Sequence, residues 1–559
     1  MTQYFIENKS SVNILDSHFL YEGGEGKIFA KGKTVFKIYS DPKKMIPEKK
    51  IQELSLITDP NVIKPHRILH DSKKRKVGYT MAYIKNSHPL CKIFTLSFKN
   101  KNKISDSIVL NLIAKAQKTI THIHNKKCLI VDLNEMNCLV DHLFNEIYFI
   151  DVDSYQTPSF PATAIMESIR DRHNKNFNVD TDWFSFAILS FQMLIGIHPY
   201  KGKHLTVKAL DDRMRQNISV LNKGVSIPKI CKSIDIIPQG FKDWYKALFE
   251  DGKRMAPPDN FQEKIDIIIT PSVISSNEKL EISLIKKYDD AIIGYMGYLD
   301  QNIIMTYKSI YLSEKEKIPS KTYTHISTTT QKNKIIFSKV NNDKQLIEFN
   351  TKINHTIAAE YIMTYDRRIY VKNQDKIGEI IFIESTKEPF ATTKIVANVL
   401  ENSTFLYEGC ALQNLLGSWV VSIFPETGKS YQIFLNELVK YKIIEAKYDN
   451  RVLMVIANKK GEYDKFVFKF DNRFKGYETR KVKNIHYQGI NFVVLDNGIG
   501  VCINESEELE IFSNKIKNNS LKVINNCGTI EGNMKLYKNG TSVLFAKEDT
   551  LYKITMKRE

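Results

Sequence analysis

The sequence predicts two folding units, an α+β unit over residues 1–270 and an all-β unit over 271–559. Three observations carry that expectation. Apolar residues recur at helical spacing over Ile108–Ile123, and Trp183–Ile195 is almost wholly apolar and long enough for a buried helix. Strand-like runs at Val35–Tyr39, Ile63–Leu69 and Val77–Tyr83 precede those helices. After Ile268-Ile269-Thr270-Pro271-Ser272 the helical period gives way to short alternating runs rich in Ile, Val, Tyr and Phe. At 559 residues the chain also exceeds what one core normally holds. The first unit divides again, into a strand-rich lobe over 1–84 and a helix-rich lobe over 85–270.

Turn chemistry gives the second unit its expected architecture. Asp/Asn/Gly turns occur at Leu299-Asp300-Gln301-Asn302, Gln331-Lys332-Asn333-Lys334, Tyr365-Asp366-Arg367-Arg368 and Leu416-Gly417-Ser418-Trp419. Others follow at Tyr448-Asp449-Asn450-Arg451, Leu495-Asp496-Asn497-Gly498 and Tyr537-Lys538-Asn539-Gly540. Their spacing averages about 40 residues, which suits a four-stranded blade and predicts a six- or seven-bladed β-propeller. The spacing is irregular and neither a W-D nor a kelch signature is present, so a pair of β-sandwiches is the competing arrangement.

Composition narrows the function classes. Hydrophobic residues make up 42% and charged residues 26%, as in ordinary globular proteins. No apolar run of membrane-spanning length occurs, and Met1–Glu7 lacks the basic-then-apolar pattern of a signal peptide. The seven cysteines stand singly without a C-x-x-C pair, which predicts reduced thiols, a cytoplasmic setting and no structural zinc. The net charge of +18 raises nucleic-acid binding. Its distribution argues against a dedicated surface: residues 1–270 carry 40 Lys+Arg against 29 Asp+Glu, and residues 271–559 carry 41 against 34. The densest run, Lys73-Lys74-Arg75-Lys76, lies between two apolar stretches and reads as an exposed hairpin turn.

Near the start, Gly23, Gly24 and Gly26 fall between two strands, where backbone N–H groups can approach phosphate oxygens without Cβ obstruction. Eleven residues beyond Gly26, Lys37 sits between apolar residues of a strand, a costly position without an anionic partner. Phosphates plus a helical carboxylate would supply one. The predicted helix 45–57 offers Glu48 and Glu53, of which Glu53 is preferred by its chain distance from Lys37.

The most informative stretch runs Asp132-Leu133-Asn134-Glu135-Met136-Asn137, with Asp151-Val152-Asp153 after the next two strands. An Asp, an Asn five positions later and a further Asp in this order resemble the catalytic and metal loops of the protein kinase superfamily. The resemblance covers residues 15–265. It is closest to the bacterial and phage branch with a G-G-E-G loop, D-x-N-x-x-N and D-V-D, and it makes the expected α+β unit a bilobal protein kinase-like fold. It implies ATP and Mg²⁺ as cofactors. Lys37 would meet the phosphates, Asp132 would accept the substrate hydroxyl proton, and Asn137 and Asp151 would hold Mg²⁺. Met81 would lie behind the adenine, Ala82 and Ile84 would bond it through their backbone, Ile28 and Val35 would form its ceiling and Leu139 its floor. His124 would be structural, Asp182 would anchor the catalytic loop, and Arg254 would either pair with Glu167 or lie at the surface.

Several positions depart from the family pattern. Tyr21 replaces the first loop glycine, Ile130-Val131 replace His-Arg, Asn134 replaces a lysine, Asp153 replaces the glycine of D-F-G, and A-P-E is missing. Some members of the branch carry helix-hairpin-helix DNA-binding modules, but no such signature occurs in 271–559. The expected function is an ATP- and Mg²⁺-dependent serine/threonine protein kinase whose second unit recruits a protein substrate, with no membrane partner. The competing reading is a pseudokinase scaffold that works through protein–protein interaction.

Overall fold

A computed structural model describes residues 2–7, 10–162, 165–258, 280–298, 301–313, 316–320, 323–330, 334–351, 353, 355–384, 390–516, 521–524 and 530–556. The expected class, a bilobal α+β protein kinase-like fold followed by a β-propeller, is overturned. The chain is mostly β, 41% strand against 18% helix, in many small antiparallel sheets. Six α-helices occur among the described residues, with no α+β kinase-like lobe set apart. The physical reason lies in how little of the helical expectation becomes helix. Only Asp106–Asn125 and Val179–Ile195 are long, whereas Leu96–Lys101 and Leu210–Arg215 have six residues each. One periodic segment and one almost wholly apolar segment thus stood for a whole lobe.

Two compact units are formed, one from residues 1–15 with 22–272 and the other from 16–21 with 273–559. The expected junction at Ile268–Ser272 lies outside the described residues.

The first unit contains β1 (Thr2–Ile6), β2 (Ser10–Ile14), β4 (Gly26–Lys31), β5 (Thr34–Tyr39), β6 (Ile68–His70) and β7 (Lys76–Ala82), after which β3 (Phe19–Glu22) is named for its place in the chain. Hydrogen-bonded neighbours follow the order β2-β1-β6-β7-β5-β4. Register decides which side chains share a face. Ile28 lies opposite Lys37 and Ala30 opposite Val35, while Val35 faces Met81 and Lys37 faces Tyr79 across β7. Ile28, Val35, Lys37, Tyr39, Tyr79 and Met81 therefore point to one side. Two glycines permit the close strand approach: a Cβ on Gly26 would lie 2.2 Å from the Ile38 carbonyl oxygen, and one on Gly78 would lie 1.9 Å from that of Lys37.

Helix α1 (Glu48–Ser55) buries Lys50, Ile51 and Leu54. Among the remaining helices α2 (Leu96–Lys101), α3 (Asp106–Asn125), α4 (Val179–Ile195), α5 (Leu210–Arg215) and α6 (Gln239–Phe249), α4 is central. It begins with a capping box, in which Asn178 accepts from the Thr181 N–H at 3.0 Å and Thr181 Oγ1 accepts from the Asn178 N–H at 3.0 Å. It ends at Gly196, φ +90°, a conformation that favours glycine. Almost every residue between is buried, against α3 on one side and Trp244, Tyr245 and Phe249 of α6 on another. A short sheet, β8 (His88–Pro89), β9 (Cys138–Val140) and β10 (Ile147–Phe149), carries the loops that matter below.

In the second unit seven antiparallel sheets follow one another, six built from consecutive strands over 292–319, 325–349, 361–398, 404–434, 442–482 and 492–524. The seventh joins Leu280–Lys287 to the three strands over 535–556. Neighbouring sheets share cores: Leu412, Trp419 and Val421 pack with Val455, Phe466 and Phe468. Ile292 and Ile304 pack with Leu544 and Leu551. The turns read at 365–368 and 448–451 are tight hairpin corners, with positive φ at Asp366, Arg367, Asn450 and Arg451. The turns read at 299–300 and 331–333, and Cys527, lie outside the described residues. Among the described residues no helix is long and apolar enough to cross a membrane.

Gly78→Ala is expected to lower stability by about 2–3 kcal/mol in guanidinium unfolding, because the new methyl group overlaps backbone that cannot yield. Gly24→Ala, where a Cβ meets open space, should change it by less than about 0.5 kcal/mol.

Candidate active site

The loop that carries Asp132 is built on a buried carboxylate. Asp182, in the first turn of α4 and 0% exposed, accepts the N–H groups of Ile130 at 2.8 Å and Val131 at 2.9 Å, and lies 2.9 Å from His124 Nε2. Three polar partners satisfy a group that burial would otherwise penalise heavily. They also hold Val131 at φ 63°, a left-handed conformation costly for a β-branched residue. Beyond it the chain turns on Asn134, whose Oδ1 accepts from the N–H groups of Met136 at 2.8 Å and Asn137 at 3.1 Å. The kinase resemblance made Asn134 stand where a lysine was expected; here it organises the loop instead.

That turn brings Asn137 back onto Asp132. Its Nδ2 donates to Asp132 Oδ2 at 3.2 Å and to the Asp132 carbonyl at 3.1 Å, while Asp132 Oδ1 accepts the Met166 N–H at 2.8 Å. The Asn137 carbonyl in turn accepts the Ile150 N–H at 2.9 Å, which seats Asp151 beside it. Asp151 has φ 60° and a half-exposed carboxylate 3.9 Å from Lys37 Nζ. Lys37, Asp132, Asn137 and Asp151 thus form one linked series.

Lys37 is 7% exposed, and its partner is not the one expected. Neither helical glutamate reaches it: Glu53 accepts the Ser159 N–H at 3.2 Å, and Glu48 pairs with Lys76 at 2.5 Å. Lys37 Nζ instead donates to Asp153 Oδ2 at 2.5 Å and Glu25 Oε2 at 3.1 Å. Asp153, 5% exposed, also accepts the Tyr39 hydroxyl at 2.9 Å, and Tyr79 adds to its hold. The correction has a simple cause. Buried Lys50, Ile51 and Leu54 fix the inward face of α1, which leaves Glu48 and Glu53 turned away. The repeat Asp151-Val152-Asp153 was the signal for the true partner, since Val152 is buried and the short turn over Val152–Ser154 folds Asp153 inward.

Burial pushes Asp153 up, but the Lys37 ammonium and its hydrogen-bond donors outweigh burial and hold it below the ordinary carboxylate range. Burial likewise pushes Lys37 down, and the attraction of Asp153 and Asp151 overrides it and holds the amine above its usual range. Glu53 is held low by its hydrogen bonds to Ser159 and Thr157.

The remaining expected nucleotide contacts divide by position. Ile28 and Met81 are half-buried and Val35 is buried, all on the Lys37 face of the sheet. Ala82 is exposed at the end of β7, and the Ile84 carbonyl accepts the Ser87 hydroxyl at 2.9 Å. Leu139 is half-buried on β9, opposite Pro89 and Tyr148. The glycines separate as well. The Gly23 N–H donates to the Gly26 carbonyl at 2.9 Å and closes the turn, Gly24 lies at its open tip, and Gly26 serves strand packing rather than a phosphate. Arg254 forks onto Asp171 at 2.7 and 2.6 Å and stacks on Phe184, whereas Glu167 meets Arg170 and Arg172.

For a metal, Asp151 offers a carboxylate and Asn137 an amide Oδ1 opposite its engaged Nδ2. Among the described residues no three His, Cys, Asp or Glu side chains gather as ligands. Two hard oxygen donors fit Mg²⁺, which keeps waters and shares substrate phosphates, and do not fit zinc.

Asp153→Asn should cost about 3 kcal/mol at neutral pH, since it strands a buried ammonium, and Lys37→Met/Asp153→Leu should restore most of that loss. Asp153 is depressed and Lys37 raised, so the pair contributes fully between about pH 4 and pH 10 and loses its contribution as pH falls through the depressed Asp153 value. Unfolding at pH 3, 5 and 7 checks this, with the Asn variant losing the difference between the wild-type curves at low and neutral pH. Compared with protein-family models and with curated proteins, the chain matches none.

Proposed function

We propose that the chain is an ATP- and Mg²⁺-dependent kinase that transfers the γ-phosphoryl group to serine or threonine hydroxyls of a protein. One observation carries the reading: Asp132, Asn137, Asp151 and Lys37 are linked in series, next to a loop fixed by the buried Asp182. Phosphoryl transfer needs little beyond such positioning and charge.

In this reading Asp132 accepts the proton of the attacking hydroxyl through a carboxylate already oriented by Asn137 and by the Met166 N–H. Lys37 binds phosphate oxygens and is itself kept in place by Asp153 and Glu25. Asp151 and Asn137 would hold Mg²⁺, whose charge offsets that on the transferring phosphoryl group. Ile28, Val35 and Met81 supply apolar surface for the adenine. The β-rich unit recruits the protein substrate. A scaffold without turnover is the second reading, favoured by the fact that both Asp132 carboxylate oxygens already accept hydrogen bonds.

Asp132→Asn is expected to lower transfer from γ-labelled ATP by about 10²–10⁴-fold while costing only about 1–2 kcal/mol of stability, since its amide nitrogen meets one donor N–H. Equal labelling by wild type and variant removes Asp132 as the base. ATP-dependent thermal stabilisation of a wild type that transfers nothing supports the scaffold.

A further inference from the structure

Helix α1 buries a second lysine near the same carboxylates. Lys50 is 2% exposed; its backbone N–H donates to the Pro47 carbonyl at 2.9 Å, while its side chain makes no hydrogen bond or ion pair among the described residues. The helix packs against the turn over Val152–Ser154 that carries Asp153. Asp153, Glu25 and Asp151 are the acidic groups that attract Lys50, and they are also the three carboxylates within 4 Å of Lys37 Nζ.

Charge bookkeeping at this point does not balance. The buried set holds two ammonium groups, Lys37 and Lys50, against one carboxylate, Asp153. Glu25 and Asp151 are half-exposed, with side chains 50% and 47% accessible, so solvent screens much of their charge. Asp153 Oδ2 is already taken by Lys37 and Tyr39. Burial lowers the Lys50 amine, and the carboxylates only partly offset it. An ammonium held largely out of water with so little opposite charge beside it favours the arrival of an anion.

We propose that Lys50 is a second phosphate-binding cation, so that the oligophosphate of the nucleotide is gripped between two ammonium groups, Lys37 from the sheet and Lys50 from α1. This rests on the nucleotide reading above and deepens it. Where a helical carboxylate was expected to neutralise Lys37, the helix delivers a further positive charge, and Asp153 takes over the neutralising role. The ligand class is a linear oligophosphate, whose adjacent phosphoryl groups present anionic oxygens on both sides.

Titration calorimetry on the full chain tests the assignment, with sodium tripolyphosphate and Mg-ATP as probes. Wild type should bind both, and Lys50→Met should weaken both by about tenfold or more, as expected for one lost charge-assisted hydrogen bond. Lys50→Gln, polar and uncharged, should show the same loss and serves if the Met variant does not fold. Binding of both probes within twofold of wild type by either folded variant overturns the proposal, as does a wild type that binds no tripolyphosphate. The test separates the two readings. Tripolyphosphate binding that depends on Lys50, in a protein that transfers no phosphoryl group, keeps the lysine pair and removes the kinase. Phosphoryl transfer with an unchanged KM for ATP in Lys50→Met keeps the kinase and removes the lysine pair.

Discussion

The carboxylate of Asp182 is the point on which the candidate site depends. It has no exposure to water, and the donors it needs come from the loop ahead of Asp132 and from His124 at the end of α3. One charge therefore fixes the start of the loop, holds Val131 in an unfavourable conformation, and ties α3 to α4. Everything downstream inherits that placement: Asn134 turns the chain, Asn137 meets Asp132, and Asp151 follows. The arrangement is robust because α4 is buried nearly all round and leaves Asp182 little freedom to move.

A second constraint sits across the pocket. Lys37 is surrounded by Asp153, Glu25, Asp151, Tyr39 and Tyr79, a polar island within a largely apolar sheet face. Buried polar groups of this kind contribute geometry more dependably than net stability, because their desolvation offsets much of their attraction. What the island secures is the position of one ammonium group.

Much of the site was legible in the sequence, and the part that was not has a physical explanation. Spacing read through the kinase resemblance singled out Lys37, Asp132, Asn137 and Asp151, and the structure links these four side chains in one series. The partner of Lys37 was misassigned because chain distance was used where helix phase decides. Ile51 and Leu54 define the buried stripe of α1, and that phase puts Lys50 inward and Glu48 and Glu53 outward. Arg254 was matched to Glu167 through the kinase resemblance, whereas Asp171, nearly devoid of exposure, offered the better fork. At the level of the whole chain, alternating patterns pointed to the β-rich second unit, but the first unit was expected to be far more helical than it is. Periodicity reports only segments long enough to show a period, and much of that unit is short ladders and loops.

The pairing of Leu280–Lys287 with Thr550–Met556 sets a condition on how the second unit is made. Each of the other sheets can zip up from neighbouring stretches as soon as they leave the ribosome. This one must wait for strands separated by nearly the whole unit, the kind of distant contact that slows folding. During synthesis the nascent unit therefore exposes the unsatisfied edge of its first strand until the final strands emerge. Biogenesis, rather than the finished fold, is where this half of the molecule is most vulnerable to aggregation.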